Sequence, residues 1–396
     1  MQIFQHALAL KEETIAHRRY FHQNAETGTE MPLARHYILH ELQMLGIEAQ
    51  SCGGGIVAEI GNGAHTILLR ADMDALPMPE ESGLPFACPT GKAAHTCGHD
   101  LHAAMLLTAA KLLKAGESDL CGRVRLMFQP AEELLCGAKK MLACGLLRDP
   151  KPEAALAVHV GPSGNVGECW YNAESTMMLS CDAFSITVQG RGGHSAYPHR
   201  CTDPIGAAVQ ICNALGHLVQ HESDPAHNTV LTIGSIHAGT AYNIIPETAV
   251  LEGSLRTEHP EERARLMERI RETAVQTAGA YRCRVRLSML AENPPLLCDR
   301  RFTEDAVRLA GELPDAVFHS GIRSSGSDDF AEITARIPSA YLFLAAGFPD
   351  APSHPSHHPA VRFNEDVLSF GAALLAHCAT GWLRSQTKSE HLKSGL

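Results

Sequence analysis

The 396-residue sequence contains no uninterrupted apolar run of the roughly 18 residues that a bilayer-spanning helix needs, which argues against a membrane-embedded chain. It has no long basic block either. Lys and Arg number 33 against 44 Asp and Glu, a formal charge of −11, and that balance argues against nucleic acid as a partner. Gly53-Gly54-Gly55 lacks the Lys that follows a phosphate-binding loop, so kinase, nucleotide hydrolase and dehydrogenase chemistry find no support. No solenoid repeat and no low-complexity tract is present. Lys11, Glu12 and Glu13 stand where a secretory leader would need its apolar stretch, so the opening segment reads as a helix. The 13 cysteines are odd in number and scattered, which suits a reducing compartment and gives the expectation of a cytoplasmic protein.

What is present describes a globular enzyme-sized chain: 45% apolar and 19% charged residues, long enough for two or three domains. Apolar residues at helical spacing predict helices over 2–21 and 31–45, with Pro32 suited to a first turn and Gly46 to an end. Strands follow at 55–60 and 66–69. A helix at 99–113, a strand at 123–128, a helix near 133–144 and a strand at 154–160 then alternate in α/β fashion, with part of the sheet parallel. Ligand sites form at the carboxyl ends of such strands, where Asp72, Glu132, Glu133 and His159 fall. After about residue 180 the order becomes strand, helix, two strands, helix, strand, which resembles a ferredoxin-like α+β module inserted in the first domain. Near Asn293-Pro294-Pro295 the chain leaves that module; a helix at 301–309, a strand at 340–344 and a helix at 364–377 follow. The polar tail 384–396 is expected to fray.

Histidine, with 23 residues partly in tight clusters, is the informative excess. In His95-Thr96-Cys97-Gly98-His99-Asp100-Leu101-His102 a thiolate and an imidazole two positions apart, with Gly98 between them, are able to converge on one borderline-soft divalent ion. The competing reading makes Cys97 a buried thiol and His99 and His102 partners in helix-start hydrogen bonds. Glu132 and Glu133 follow an apolar strand, where two adjacent carboxylates are costly to bury without a cation or a proton; one is suited to ligation and the other to acting as a base. Acidic residues at a helix start are also common for dipole reasons alone. His159 stands in the apolar strand LAVHV, and His354, His357 and His358 lie in a Pro-punctuated loop. A covalent thiol enzyme using Cys97 and His99 fits this spacing less well than shared metal binding.

Taken in order, LLRADMDALP at 68–77, HTCGHDLH at 95–102, QPAEE at 129–133, LAVHV at 156–160, GRGGHSAYPH at 190–199, YNIIPETAVLEGSLR at 242–256 and SHHPAVRFNED from Ser356 carry a resemblance over nearly the whole chain. They resemble the dinuclear metal amidohydrolases of the aminoacylase, hippurate hydrolase and indoleacetyl-amino-acid hydrolase type, a branch of the zinc aminopeptidase and carboxypeptidase superfamily. The resemblance implies an α/β metallopeptidase-like catalytic domain with a mixed sheet flanked by helices. It is interrupted by an inserted ferredoxin-like lid and dimerisation domain, with boundaries at 1–180, 181–292 and 293–396.

The same resemblance implies two divalent metal ions, zinc or manganese with cobalt or nickel as alternatives, held by Cys97, His99, Glu133, His159 and His357. His357 stands two residues before Pro359, as the family ligand does, while the adjacent His358 leaves a second choice open. Glu132 resembles the general base, His194 of Gly192-Gly193-His194-Ser195 the oxyanion-stabilising residue of the lid, and Asn243 and Arg256 the residues that hold the substrate's polar end. Asp74 is expected to orient a ligand imidazole, and Ser327-Asp328-Asp329-Phe330 resembles a loop beneath the site. Where the family has a glycine-rich stretch after the glutamate pair, this chain has Leu134-Leu135-Cys136, a departure that leaves the metal ligands in place and whose expected effect is on the adjacent pocket wall.

The implied reaction is hydrolysis of the amide of an N-acyl amino acid by metal-activated water, in a homodimer or a homotetramer. A metallopeptidase for short dipeptides is the nearest enzymatic alternative. A metal-binding scaffold without activity is the non-enzymatic one, and retention of both Glu132 and Glu133 speaks against it.

Overall fold

The computed structural model describes residues 2–349 and 354–394, and the chain separates into two compact units. The first comprises the residues through Met177, Leu297–Arg323 and those from Asp328 onward; the second comprises Met178–Leu296 and Ser324–Ser327.

The first unit opens with α1 (Gln2–Ala9), α2 (Lys11–Gln23) and α3 (Pro32–Met44). The single helix expected over 2–21 is broken at Leu10, which takes φ −93° and ψ 6°. Then come β1 (Ala49–Cys52), β2 (Gly55–Gly61), β3 (Thr66–Asp72), α4 (His99–Ala115), β4 (Arg123–Gln129), α5 (Gly137–Ala143), β5 (Ala154–Gly161) and β6 (Glu168–Tyr171). α5 starts four residues later than the spacing predicted. Ala131 and Leu135 both adopt φ 51°, a left-handed conformation that keeps the segment between them out of a helix.

In the second unit lie β7 (Cys181–Gln189), β8 (Gly193–His194), α6 (Pro204–Glu222), β9 (Thr229–Ala238), β10 (Ile244–Ile245), β11 (Thr248–Thr257), α7 (Pro260–Ala280) and β12 (Arg284–Asn293). Four strands form an antiparallel sheet in the order β12-β7-β11-β9, and β8 pairs with β10. Alternate residues Phe184, Ile186 and Val188 of β7 are buried, with Ile211 and Leu215 of α6 and Leu266 and Ile270 of α7 in the same core. This strand period of two turns one sheet face onto both helices, and the βαββαβ order is the ferredoxin-like one.

The first unit resumes with α8 (Arg300–Ala310), β13 (Val317–Ser320), α9 (Ala331–Thr334), β14 (Ser339–Ala345) and α10 (Val367–Ser394). The helix runs on through the tail expected to fray as far as Ser394. Its eight strands are ordered β1-β2-β4-β3-β5-β14-β6-β13, with β4, β3, β5 and β14 mutually parallel at the centre. The mixed sheet flanked by helices and the second α+β unit are the architecture expected. β3 is buried along its whole length although it contains Arg70 and Asp72. Central parallel strands are covered on both faces, so these two charges must be satisfied inside the protein.

Candidate metal centre

The carboxyl ends of β3, β4 and β5 and the start of α4 converge on one constellation. Gly98 opens α4 at φ 89°, and a Cβ there would collide with the Val160 side chain of β5. Only glycine meets both conditions. This close approach sets Cys97 and His99 against β5: Cys97 Sγ lies 3.6 Å from His159 Nε2. His159 Nδ1 donates to the Val160 carbonyl at 2.8 Å, which turns Nε2 toward the thiol.

His99 is completely buried, and its Nδ1 donates to the main-chain carbonyl of Asp74 at 2.8 Å. Its Nε2 makes no hydrogen bond and lies 3.9 Å from Glu132 Oε2 and 4.0 Å from Glu133 Oε1. Asp74 thus orients His99 through its backbone. Its carboxylate does something the sequence did not indicate: it accepts the N–H of Glu132 at 3.0 Å and of Glu133 at 3.1 Å, clamping the glutamate pair.

His357 has φ 68° and donates its N–H to the Thr96 carbonyl at 3.0 Å, which ties its loop to the residue before Cys97. Its Nε2 reaches Glu133 Oε1 at 3.3 Å. His358 turns elsewhere: its ring stacks on His354 with centroids 4.2 Å apart, and Nδ1 accepts from Ala360 N.

The donor atoms of Cys97, His99 and His159 lie within 4.8 Å of one another, and so do those of Cys97, Glu133 and His357. Two triads sharing one sulfur match two ions. The electrostatics agree with a cation. His99 Nε2 and Glu133 Oε1 are buried polar atoms without hydrogen bonds, a costly condition that metal ligation relieves. Burial pushes the Cys97 thiol up to about 12, so a thiolate there needs a positive partner. Burial, with His102 nearby, holds His159 well below the usual imidazole value, in the neutral form that ligates. For His99 burial acts downward but is outweighed by Asp72 and Cys97, which raise it. Sulfur, imidazole and carboxylate donors together make this a dinuclear divalent-metal site that suits zinc or manganese.

Glu132 is buried, and burial together with the negative charge of Asp328 raises its carboxyl well above the usual range. Asp328 and Asp329 lie beneath it, with one oxygen of each carboxylate within 4.8 Å of the other two. The departure at 134–136 forms a tight turn: Leu135 N donates to Glu132 O at 2.7 Å, and Leu134 is left 56% exposed.

The remaining residues expected in the site belong to the second unit. His194 is exposed on β8, and its Nδ1 accepts from Ala196 N at 3.1 Å. Asn243 is exposed, and its carbonyl accepts from Ser195 N at 3.1 Å. Arg256 Nη1 donates to Ser325 O at 3.1 Å and to Ser327 Oγ at 3.0 Å. Two buried residues were given no part in the site by the sequence reading: Arg70, and His102, which was read only as a helix-start hydrogen-bond partner and instead bonds Asp72 and the Val160 N–H. The signal that could have found Arg70 is a guanidinium in the middle of TILLRAD, and for His102 it is the helical spacing that returns it to the side of His99.

Comparison with known proteins agrees with this chemistry. The N-acetyl-L-cysteine deacetylase of Bacillus subtilis is 33% identical over 96% of this chain and 91% of its own length. The IAA-amino acid hydrolase ILR1-like 2 of Arabidopsis thaliana is 33% identical over 93% of this chain and 85% of its own. The crystal structure of the Bacillus subtilis YXEP protein, described as a dinuclear metal binding peptidase, superposes with a TM-score of 0.81 at 30% identity, covering 95% of this chain and 99% of that one. The model of peptidase family M20/M25/M40 matches residues 68–381. With that match across both units and a centre built from two ligand triads, the chain belongs to peptidase family M20/M25/M40 and is a metal-dependent hydrolase.

Proposed function

We propose that the protein hydrolyses the amide bond of N-acyl amino acids, releasing a carboxylate and a free amino acid. The observation that carries this reading is Glu132, a buried carboxylate set beside two ligand triads that share Cys97. The relatives named as an N-acetyl-L-cysteine deacetylase and an IAA-amino acid hydrolase support the acyl amino acid as substrate class.

Cys97, His99, Glu133, His159 and His357 are the proposed ligands. Bound divalent ions would supply Lewis acidity and lower the pKa of water toward neutrality. Glu132 takes the proton of the attacking water and hands it to the departing nitrogen. Burial and the negative charge of Asp328 raise the Glu132 carboxyl, which favours its keeping the proton between the two halves of that exchange. His194 is assigned to the developing oxyanion. Its Nδ1 accepts from Ala196 N, so in the neutral ring the proton sits on Nε2, which is then a hydrogen-bond donor. Asn243 and Arg256 are assigned to the substrate's polar end. Both bonds of Arg256 within its own unit leave from Nη1, and the other edge of the fork suits a carboxylate.

A homodimer formed through the second unit and a cytoplasmic location complete the proposal. The location is supported by cysteines that are all free thiols. No helix among the described residues is long and apolar enough to cross a membrane. The test is release of free amine from a panel of N-acyl amino acids and dipeptides by metal-loaded protein, with Glu132→Gln as control. Release from the acyl amino acids that the control abolishes supports the proposal. Release from dipeptides alone replaces it with a dipeptidase, and no release in either arm refutes it.

A further inference from the structure

A line of hydrogen bonds runs beneath the metal centre from one guanidinium to two ligand-bearing elements. Arg70 is fully buried. Its Nη1 donates to Asp72 Oδ2 at 2.5 Å, its Nη2 to Asp328 Oδ1 at 2.9 Å and its Nε to Gln129 Oε1 at 2.9 Å. Asp328 is also held by the Tyr341 hydroxyl at 2.7 Å. The second oxygen of Asp72 accepts from His102 Nδ1 at 2.5 Å, and His102 Nε2 accepts the N–H of Val160 at 2.9 Å.

An imidazole that accepts at Nε2 carries its proton on Nδ1. Both nitrogens of His102 are therefore engaged, and neither has a lone pair left for a metal. Asp72, His99 and His102 come within 4.8 Å of one another, yet they do not make a third metal site. Asp72 Oδ2 lies 3.7 Å from His99 Nε2, and with Arg70 on one oxygen and His102 on the other its carboxylate is already satisfied.

His102 is three residues beyond His99 on α4, and Val160 follows His159 on β5. The His102 ring centre lies 5.4 Å from that of His99 and 4.6 Å, edge-on, from that of His159. One side chain thus joins the helix that carries the first imidazole to the strand that carries the second.

We propose that Arg70, Asp72 and His102 act as a positioning relay that sets the spacing of His99 and His159, and so the geometry of the metal centre on which the functional reading rests. Arg70 balances the buried charge of Asp72, Asp72 fixes the tautomer and tilt of His102, and His102 fixes the backbone beside His159. Outer partners of ligand histidines typically change metal affinity 10- to 100-fold when altered.

The experiment uses the full-length protein stripped of metal and reloaded with zinc or cobalt. Affinity is read by competition with a chromophoric chelator, site geometry by the visible absorption of the cobalt form, and folding by thermal denaturation of the metal-free protein. His102→Gln keeps an acceptor near Val160 N but loses the donor to Asp72; His102→Asn keeps a donor near Asp72 but loses the acceptor. Each is expected to weaken metal binding about 10- to 100-fold and to shift the cobalt bands. Asp72→Asn is the same shape and tests the same link should either His102 variant fail to fold. Affinities within twofold of wild type with an unchanged cobalt spectrum overturn the relay, whatever happens to the melting temperature. A wild-type chain that takes up no metal overturns the centre and the relay together, whereas normal wild-type uptake with unchanged variants overturns the relay alone.

Discussion

Replacing Asp74 by Asn tests the clamp on the glutamate pair without emptying space. In the wild type one carboxylate accepts two backbone N–H groups, from Glu132 at 3.0 Å and from Glu133 at 3.1 Å, in a buried setting. An amide of the same shape has one oxygen, so it accepts from one N–H and turns an NH2 toward the other. A hydrogen bond to a charged acceptor contributes about 1.5–3 kcal/mol, and an orphaned buried donor costs about 1–3 kcal/mol. Losing one of the pair should therefore cost about 2 kcal/mol of the energy that holds Glu132 and Glu133 in place. Expressed at the metal, that is roughly a 30-fold loss of affinity. His99 should keep its orientation, because it is held by the Asp74 carbonyl, which the substitution leaves intact. Chelator competition on the full-length protein, with kcat measured at saturating metal, is the assay. Metal affinity and kcat both within twofold of wild type would refute the clamp. A fall in kcat at full metal occupancy would place the loss on Glu132 rather than on Glu133.

Glu132→Gln should retain metal while turnover falls by about 10²–10⁴-fold, the usual contribution of a general base, and the metal content of the purified variant separates this from loss of the site. Cys97→Ser should lower metal occupancy of both positions, since both ligand triads include that sulfur; a variant that loses only one ion, by elemental analysis, would contradict the sharing. Gly98→Ala should be destabilised by more than the roughly 1–2 kcal/mol of a left-handed alanine, because its Cβ also meets the Val160 side chain, and thermal denaturation checks it. The buried cluster of Arg18, His22, Glu80 and Asp100 gives a pH signature. Burial pulls the His22 pKa down, but hydrogen bonds with Asp100 and Glu80 outweigh it and raise the value. A raised histidine stabilises fully below its unfolded value of about 6.5, and that contribution is lost as pH climbs through the folded value. The melting-temperature gap between metal-free wild type and His22→Gln should thus be widest near pH 5.5 and narrow toward pH 8.5; a gap that widens with pH would contradict it.

Long periodic segments were legible from the sequence because their signal is local. The βαββαβ order of the second unit and the central parallel strands follow from residue spacing. Short elements were not. β1, β6 and β13 have only four residues each, too few for a period to register, and they form because neighbouring strands supply partners. The start of α5 was misplaced because nothing in the residues Ala131 and Leu135 announces a positive φ; the surrounding fold imposes it.

The candidate ligands were legible in a different way. Cys97, His99, Glu133 and His159, with Glu132 as the candidate base, stand at strand ends and a helix start, where the same residue types also serve as helix-start partners, so it was the order of the motifs and the resemblance they carry that singled them out. Which nitrogen of His99 is left without a partner, which of two adjacent histidines turns toward Glu133, and what Asp74 does with its carboxylate depend on contacts between residues 25 to 258 positions apart, such as His99 with Asp74 and Arg70 with Asp328. Sequence alone determined the alternation of strand and helix and offered the candidate donors at one edge of a sheet. Tertiary structure decided the hydrogen bonds that aim each donor, because a buried polar group takes whichever partner the packed chain brings within reach.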